Sequence, residues 1–572
     1  MKKLLKYMKG YGKECALGPL FKLLEASFEL LIPLVVAGIV DRGIEAGDQG
    51  YIIKMCLIMV LLGVIGLISA VIAQYFAAKA AVGFAARLRH AVMAHILRLD
   101  YTQLDKVGTA TLITRMTSDV NQVQNGVNLT LRLLLRSPFV VFGAMIMAFT
   151  IDVKSALIFA GIIPVLCIVV FGIMLINMPA YRRVQQKLDG VTAATRENLT
   201  GVRVLRAFRM EKTETAQFEE KTNTLAKEQL RAGTVSNFMN PLTFVLINLA
   251  IILLMQVGAV RVETGILTQG MVIALYNYMS QILVELIKMA NLILSMTKAA
   301  ACGNRIESLL ELPTTEDAAE ETELFGKVEF RAVSATYGDA AAPALTNITF
   351  TALPGQTVGI IGGTGAGKTT VINLISGLYE ASEGAVLLDD RDVTTLNKKA
   401  ICQKIGIVPQ SALLFAGTVR DNLRWGKENA TDEEMREALR LAQALSVVDE
   451  KEGLDTKVEQ GGRNFSGGQK QRLCIARALV RKPKILILDD SASALDYATD
   501  AALRVAIRSM DPMPTTFIVS QRAASVRHAD LILVLEDGQL VGAGKSEELL
   551  KTCPVYREIY STQFGQEVAA NG

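Results

Sequence analysis

Six stretches of roughly 20 mostly apolar residues recur before residue 300, centred near Leu30, Ile65, Val140, Val165, Leu249 and Leu283. As a helix, each is long enough to cross the ~30 Å hydrocarbon core of a bilayer. Lipid offers backbone N–H and C=O groups no partner, so continuous apolar segments of this length are expected to be helical. The hydrophobic fraction, 51% of 572 residues, agrees, being too high for an ordinary soluble chain. Net charge is only +4, from 60 basic and 56 acidic residues. That balance implies no bulk attraction to nucleic acid, and no nucleic-acid partner is expected.

Polar helical stretches of about 50 residues separate the second span from the third and the fourth from the fifth. They carry much of the charge (Arg87, Arg89, Arg98, Arg115, then Arg182, Arg183, Lys187, Arg203, Arg206, Arg209), whereas the connections around 41–50, 150–154 and 261–269 are short. The positive-inside rule puts both polar stretches and the N-terminus in the cytoplasm. Helical patterning runs through them, which predicts membrane helices with long cytoplasmic extensions turning back at two tips, near DKVGTATLITRM and NLTGVRVLRAF. The basic start, MKKLLKYMKGYGKE, reads as a short interfacial helix rather than a removable signal. Seven scattered cysteines show no metal-binding spacing and read as reduced thiols.

A composition change follows. Residues 1–310 are expected to form the transmembrane domain, and the acidic run LPTTEDAAEETELFG lies in a linker, 311–326. From 327 to 572, alternating strand and helix patterns predict a soluble α/β domain. Within it GGTGAGKT, from Gly362 through Gly363, Thr364, Gly365, Ala366, Gly367 and Lys368 to Thr369, lies between the apolar strand TVGII and the helix TTVINLISGL, which also contains Thr370. This is a phosphate-binding loop in the context it requires. Its amides and the helix N-terminus suit ATP phosphates, Lys368 reaches the terminal ones, and the Thr369 hydroxyl suits Mg²⁺. The strand ILILD supplies Asp489 as the acidic partner that holds Mg²⁺ through water.

Between these motifs lies NFSGGQKQRLCIARAL. Its Ser466-Gly467-Gly468-Gln469, in this order and spacing, resembles the signature of ATP-binding cassette (ABC) transporters. Gln410 in IVPQSALLFAGTVRDN resembles the family's Q-loop, Tyr337 in ATYGD its adenine-stacking aromatic, and SALD, Ser493 to Asp496, its D-loop. Six spans with cytoplasmic extensions ahead of one cassette resemble an exporter half. The resemblance implies a transport ATPase using ATP and Mg²⁺, with Gln410 beside the metal and attacking water and Asp496 at the nucleotide. It also implies a second half-transporter, because one cassette's phosphate loop faces the signature of another across the nucleotide. The tips near Gly108 and Gly201 would then be coupling helices.

Two positions depart from the family pattern. Asp490 stands where a glutamate activates water, and Gln521, in TFIVSQR, stands where a histidine contacts the γ-phosphate. Gln donates a hydrogen bond but carries no charge near neutral pH. Together they predict a heterodimer in which this chain's own site binds ATP and hydrolyses it slowly, while its signature completes the partner's site. Glu25 and Glu29, Arg132 and Arg136, and Glu285 and Lys288 lie within the apolar segments, with Asn240, Asn248, Asn277 and Gln281 adding polarity. An acid-bearing cavity suggests amphipathic or cationic, drug-like or lipid-like substrates. A bacterial plasma membrane is the expected location. An ATP-gated channel or regulator, or an importer on the same scaffold, remain the alternatives.

Overall fold

The computed structural model describes residues 2–314, 323–338, 340, 342–491 and 494–564. Residues 315–322 of the expected linker and Ser493 of SALD lie outside the described residues. The chain divides into two compact units, Met1–Leu97 with Ala110–Leu312, and Arg98–Thr109 with Pro313–Gly572.

The first unit holds six helical spans long and apolar enough to cross a membrane: Gly12–Ile44, Gln49–Ile96, Thr109–Ile151, Val153–Thr200, Glu211–Glu263 and Gln269–Leu310. The second and fourth run 48 residues each, about 72 Å of helix, more than twice what a bilayer core requires. A short helix, Lys2–Met8, precedes them. Three short connections are set by side-chain caps that satisfy otherwise orphaned amides. Asp48 accepts from the Tyr51 amide at 3.0 Å, Asp152 from the Ser155 amide at 2.8 Å, and Thr268 from the Met271 amide at 3.3 Å. A π-helical turn closes the first span at Ile39–Ile44, and another interrupts the third at Arg115–Asp119.

Small residues let the helices approach. Ala73, Ala77, Ala80, Ala81 and Ala85 form a buried stripe on the second span. A Cβ on Gly126 would stand 2.2 Å from that of Ala299, so the third and sixth spans meet there only because position 126 is glycine. The unit's core gathers Phe159, Leu254, Tyr278 and Ile282 from three spans, and the Tyr278 hydroxyl donates to the Leu30 carbonyl of the first at 2.6 Å.

The second unit is the expected α/β domain. Its main sheet has the order β12-β11-β3-β10-β9-β6, where β3 is Thr357–Gly362, β6 Ile405–Val408, β9 Ile485–Asp489, β10 Thr515–Val519, β11 Leu531–Glu536 and β12 Gln539–Gly544. All neighbours are parallel except β11 and β12. Every residue of β3, β9 and β10 is buried, as parallel strands covered on both faces must be. A second, antiparallel sheet has the order β2-β1-β4-β5, with β1 Val328–Ala335, β2 Leu345–Ala352, β4 Glu383–Leu388 and β5 Arg391–Asp392, and a short ladder pairs β7 Gly417–Thr418 with β8 Lys457–Val458. One apolar core joins the two sheets and the helix Lys368–Ile375, and another packs the helix Gly467–Leu479 on the main sheet.

The segment Arg98–Thr109, which chain continuity assigns to the first domain, groups with this second unit. Lys398 Nζ donates to Asp100 Oδ1 at 2.9 Å, the Tyr379 hydroxyl donates to Asp105, and the Tyr101 and Tyr379 rings lie 6.1 Å apart.

Candidate functional site

In an open parallel sheet the crevice for ligands lies beyond the carboxyl ends of the strands. Four expected site segments leave such ends. The loop Gly363–Gly367 follows β3, Gln521 follows β10 after the buried Ser520, Asp489 and Asp490 end β9, and Gln410 follows β6 by two residues. Because the strands lie in the order β3-β10-β9-β6, chain segments more than 150 residues apart form one continuous rim.

Glycine is required where the loop turns into its helix. Gly367 has φ +91°, and a Cβ there would stand 2.5 Å from Leu345 Cδ2 and 2.7 Å from the Ala344 carbonyl oxygen. Above Gly363 and Gly365 a Cβ would meet nothing within 4 Å, so that side of the loop is open to a ligand. Ala366 is buried beneath it, whereas Thr364 and Thr369 are exposed. Lys368 Nζ folds back to donate to the carbonyls of Gly362 at 2.9 Å and Gly363 at 2.6 Å.

The site's charges act on one another. Burial lowers the pKa of Lys368, opposed by Asp490 and Asp489. Burial raises that of Asp489, and the Asp490 carboxylate raises it further against the pull of Lys368. Two acids and one base in a desolvated notch attract another cation. Among the described residues no group of three or more His, Cys, Asp or Glu comes together to hold a metal. A cation here would be held by one buried carboxylate, hydroxyl and amide oxygens, water and phosphate, the donor set magnesium prefers.

The Asp490 backbone is constrained. Its φ of 45° is left-handed, and its amide donates to the Val519 carbonyl on β10 at 3.0 Å. Tyr337 lies beside the helix that follows the loop. Its hydroxyl donates to Thr370 Oγ1 at 3.2 Å, and its ring stands edge-on to Tyr379 at 5.0 Å. A cavity of about 160 Å³ opens here, lined by Tyr337, Gly338, Thr370, Leu374, Tyr379 and Lys398 among others. Sequence reasoning missed Tyr379, Asp100 and Asp105; the available signal was a tyrosine just past the loop's helix and acids at a tip otherwise rich in bases.

Ser466 and Gln469 form a reciprocal cap on the helix Gly467–Leu479. Ser466 Oγ accepts from the Gln469 amide at 3.3 Å, and Gln469 Oε1 accepts from the Ser466 amide at 3.0 Å. Ser466 and Gly467 are exposed, and a Cβ on Gly467 would meet nothing, while one on Gly468 would stand 2.9 Å from the Ala494 carbonyl oxygen. The helix therefore presents an open N-terminus with two side-chain-free positions, a ready anion seat. Asp496, expected at the nucleotide, caps the helix Tyr497–Arg508 by accepting from the Thr499 amide at 2.9 Å and its hydroxyl at 2.8 Å. Those bonds hold its pKa low.

Comparison with known proteins agrees with this architecture. Residues 15–286 match the description "ABC transporter transmembrane region", and residues 345–493 match "ABC transporter". An uncharacterized ABC transporter ATP-binding protein of Mycobacterium tuberculosis is 36% identical over 570 residues, covering 98% of this chain and 97% of that one. The uncharacterized ABC transporter ATP-binding protein YfiB of Bacillus subtilis is 35% identical over 572 residues, 99% of each chain. The ATP-dependent lipid A-core flippase of Yersinia pestis is 29% identical over 513 residues, 89% of this chain and 88% of that protein.

Proposed function

The chain belongs to the ABC transporter family, a membrane-embedded transport ATPase of exporter type with both domains fused in one polypeptide, and from that premise we propose that it is one half of a heterodimeric exporter whose own ATP site is slow. The observation that carries this reading is the position of Asp490 and Gln521. They follow β9 and β10, hydrogen-bonded neighbours in the sheet, so both departures from the family pattern fall at one point of one site. Asp is shorter than Glu by one methylene, about 1.5 Å of reach. With the Asp490 amide held to Val519, the backbone has little freedom to advance the carboxylate. Misplacement by about 1 Å can cost on the order of a hundredfold in rate.

Binding is expected to survive. The amides of Gly362 to Thr370 enclose the phosphates, Lys368 exchanges its carbonyl bonds for phosphate oxygens, and Tyr337 leaves Thr370 to meet the adenine. Thr369, Gln410 and Asp489 would hold Mg²⁺, which neutralises phosphate charge when bound. Ser466, Gly467, Gly468 and Gln469 serve the partner's nucleotide. With the basic tips on the cytoplasmic side, the natural location is a bacterial plasma membrane. The flippase among the relatives supports an amphipathic, lipid-like or drug-like substrate.

The test is ATP hydrolysis by the purified chain alone and together with a candidate partner, with Asp490→Glu/Gln521→His in parallel. An inactive chain, an active pair and a gain in the double variant are expected. Brisk hydrolysis by the chain alone, unchanged in the double variant, would overturn the slow-site reading. ATP-driven substrate movement in vesicles made with the pair separates an exporter from a gated channel.

A further inference from the structure

The ionisable residues of the spans assemble across helices. Arg136 is 7% exposed and donates to Glu285 of the sixth span at 2.5 Å and to Glu29 of the first at 2.6 Å. Glu285 also accepts from Ser137 at 2.9 Å and from Lys288 at 2.8 Å. Lys22 holds Glu25, and its shorter bond is 2.5 Å. Arg132, one turn from Arg136 on the same face, has no carboxylate partner among the described residues, and its Nε is buried without a hydrogen bond. The linked set Arg136, Lys288, Glu29 and Glu285 is neutral, as is the Lys22–Glu25 pair, so Arg132 adds one net positive charge.

That excess has a definite place. Arg132 lies 19 residues before the third span's end at Ile151, and Lys288 lies 19 residues after the sixth span's start at Gln269. Each is about 28 Å of helix from its short connection, the depth at which a ~30 Å hydrocarbon core gives way to headgroups. Both lie on the tip side of Glu285, on spans joined by the Arg136–Glu285 pair. Lys288 is 43% exposed and shares its carboxylate oxygen with Arg136. Among the described residues, four further buried polar atoms on these spans, Arg115 Nε, Asn128 Oδ1, Arg136 Nε and Gln281 Oε1, also have no partner. Unpartnered polar groups are costly at this depth unless water or a ligand satisfies them.

We propose that Arg132 and Lys288 form the headgroup site for an anionic amphiphile, its phosphate, sulfonate or carboxylate taking the bonds that Arg132 does not make within the chain. This deepens the export reading and rests on it, and it reverses the expectation of cationic substrates drawn from the acids alone. Glu29 and Glu285 are neutralised by Arg136 together with Lys288, and the charge left over, that of Arg132, is positive.

Binding of an anionic fluorescent fatty acid and of its cationic amine analogue, measured without ATP on the full-length chain in neutral phosphatidylcholine nanodiscs, tests the assignment. The anionic probe is expected to bind more tightly. Arg132→Gln should weaken it tenfold or more, the effect of losing a charged hydrogen bond, and Glu29→Gln should strengthen it by removing an acid. Phosphatidylglycerol in the disc competes if the natural headgroup is a lipid's; a free organic anion competes if it is not. Equal binding of the two probes, or an Arg132→Gln variant with wild-type melting that still binds the anionic probe fully, would overturn the site. Loss of ATP-driven transport with binding intact would count against the export reading alone.

Discussion

Replacing Arg136 by methionine isolates the energetics of the ion network. The change strips the cation that bridges Glu29 and Glu285, leaving Glu285, whose side chain is 4% exposed, with Lys288 and Ser137. Removing one member of a buried pair typically costs about 3–5 kcal/mol. Glu29 is 39% exposed and can turn to water, so its share of that loss is small. Glu285 keeps two of its three partners, which reduces the expected cost to about 2 kcal/mol. The double variant Arg136→Met/Glu285→Leu removes both charges and returns apolar volume, so it is expected within about 1 kcal/mol of wild type. Glu285→Leu alone leaves buried Arg136 with only Glu29 and is expected to cost about 2 kcal/mol as well, so the cycle has a coupling energy of about 3–4 kcal/mol, far beyond the ~0.5 kcal/mol scatter of independent sites. Helical circular dichroism during SDS titration in mixed micelles reads it, with maleimide labelling of the buried Cys302 reporting the spans separately. Additive single variants, or a double variant less stable than either, would refute the idea that Arg136 is retained to neutralise these acids.

Gly367→Ala forces φ +91° on a residue whose Cβ meets Leu345 and Ala344; left-handed strain alone costs about 1–2 kcal/mol, and ATP-analogue affinity is expected to fall at least tenfold with the span helices unaffected in the same titration. Burial and Asp490 raise the Asp489 pKa, and only its ionised form holds a cation. Mg²⁺-dependent nucleotide binding should therefore fall as pH drops through that raised pKa. Asp490→Asn should move the loss to lower pH, and a titration of fluorescent-nucleotide binding that does not shift would contradict the coupling. Tyr379→Phe removes the hydroxyl bonded to Asp105, a contribution of about 1 kcal/mol, so hydrogen exchange across 98–109 should quicken roughly fivefold while global melting stays within a degree or two.

Local pattern carried some of this and non-local pairing the rest. Apolar runs and GGTGAGKT announce themselves because each is read within one segment. Helical spacing paired Glu25 with Glu29 and Glu285 with Lys288, but Arg136 is joined to acids 107 and 149 residues away, which no periodicity encodes. Nor does spacing tell that Arg132, identical in type and one turn off, lacks a partner. The convergence of Gln410, Asp490 and Gln521 on one rim follows from strand order, which is set when β10 inserts between β3 and β9. Asp496 was legible as an acid before a helix, and the cap it makes is the commonest use of such an acid.

The segment Arg98–Thr109 has a consequence for biosynthesis. It leaves the ribosome early, yet the residues that hold it, Lys398 and Tyr379, come 298 and 274 positions later. At about 5–20 residues per second, the tip waits on the order of 15–60 s before its partners exist. During that interval Asp100, Tyr101 and Asp105 lack the side chains they later contact. A chain that stalls before residue 379 never makes those contacts, so the fold marks an unfinished chain near its beginning.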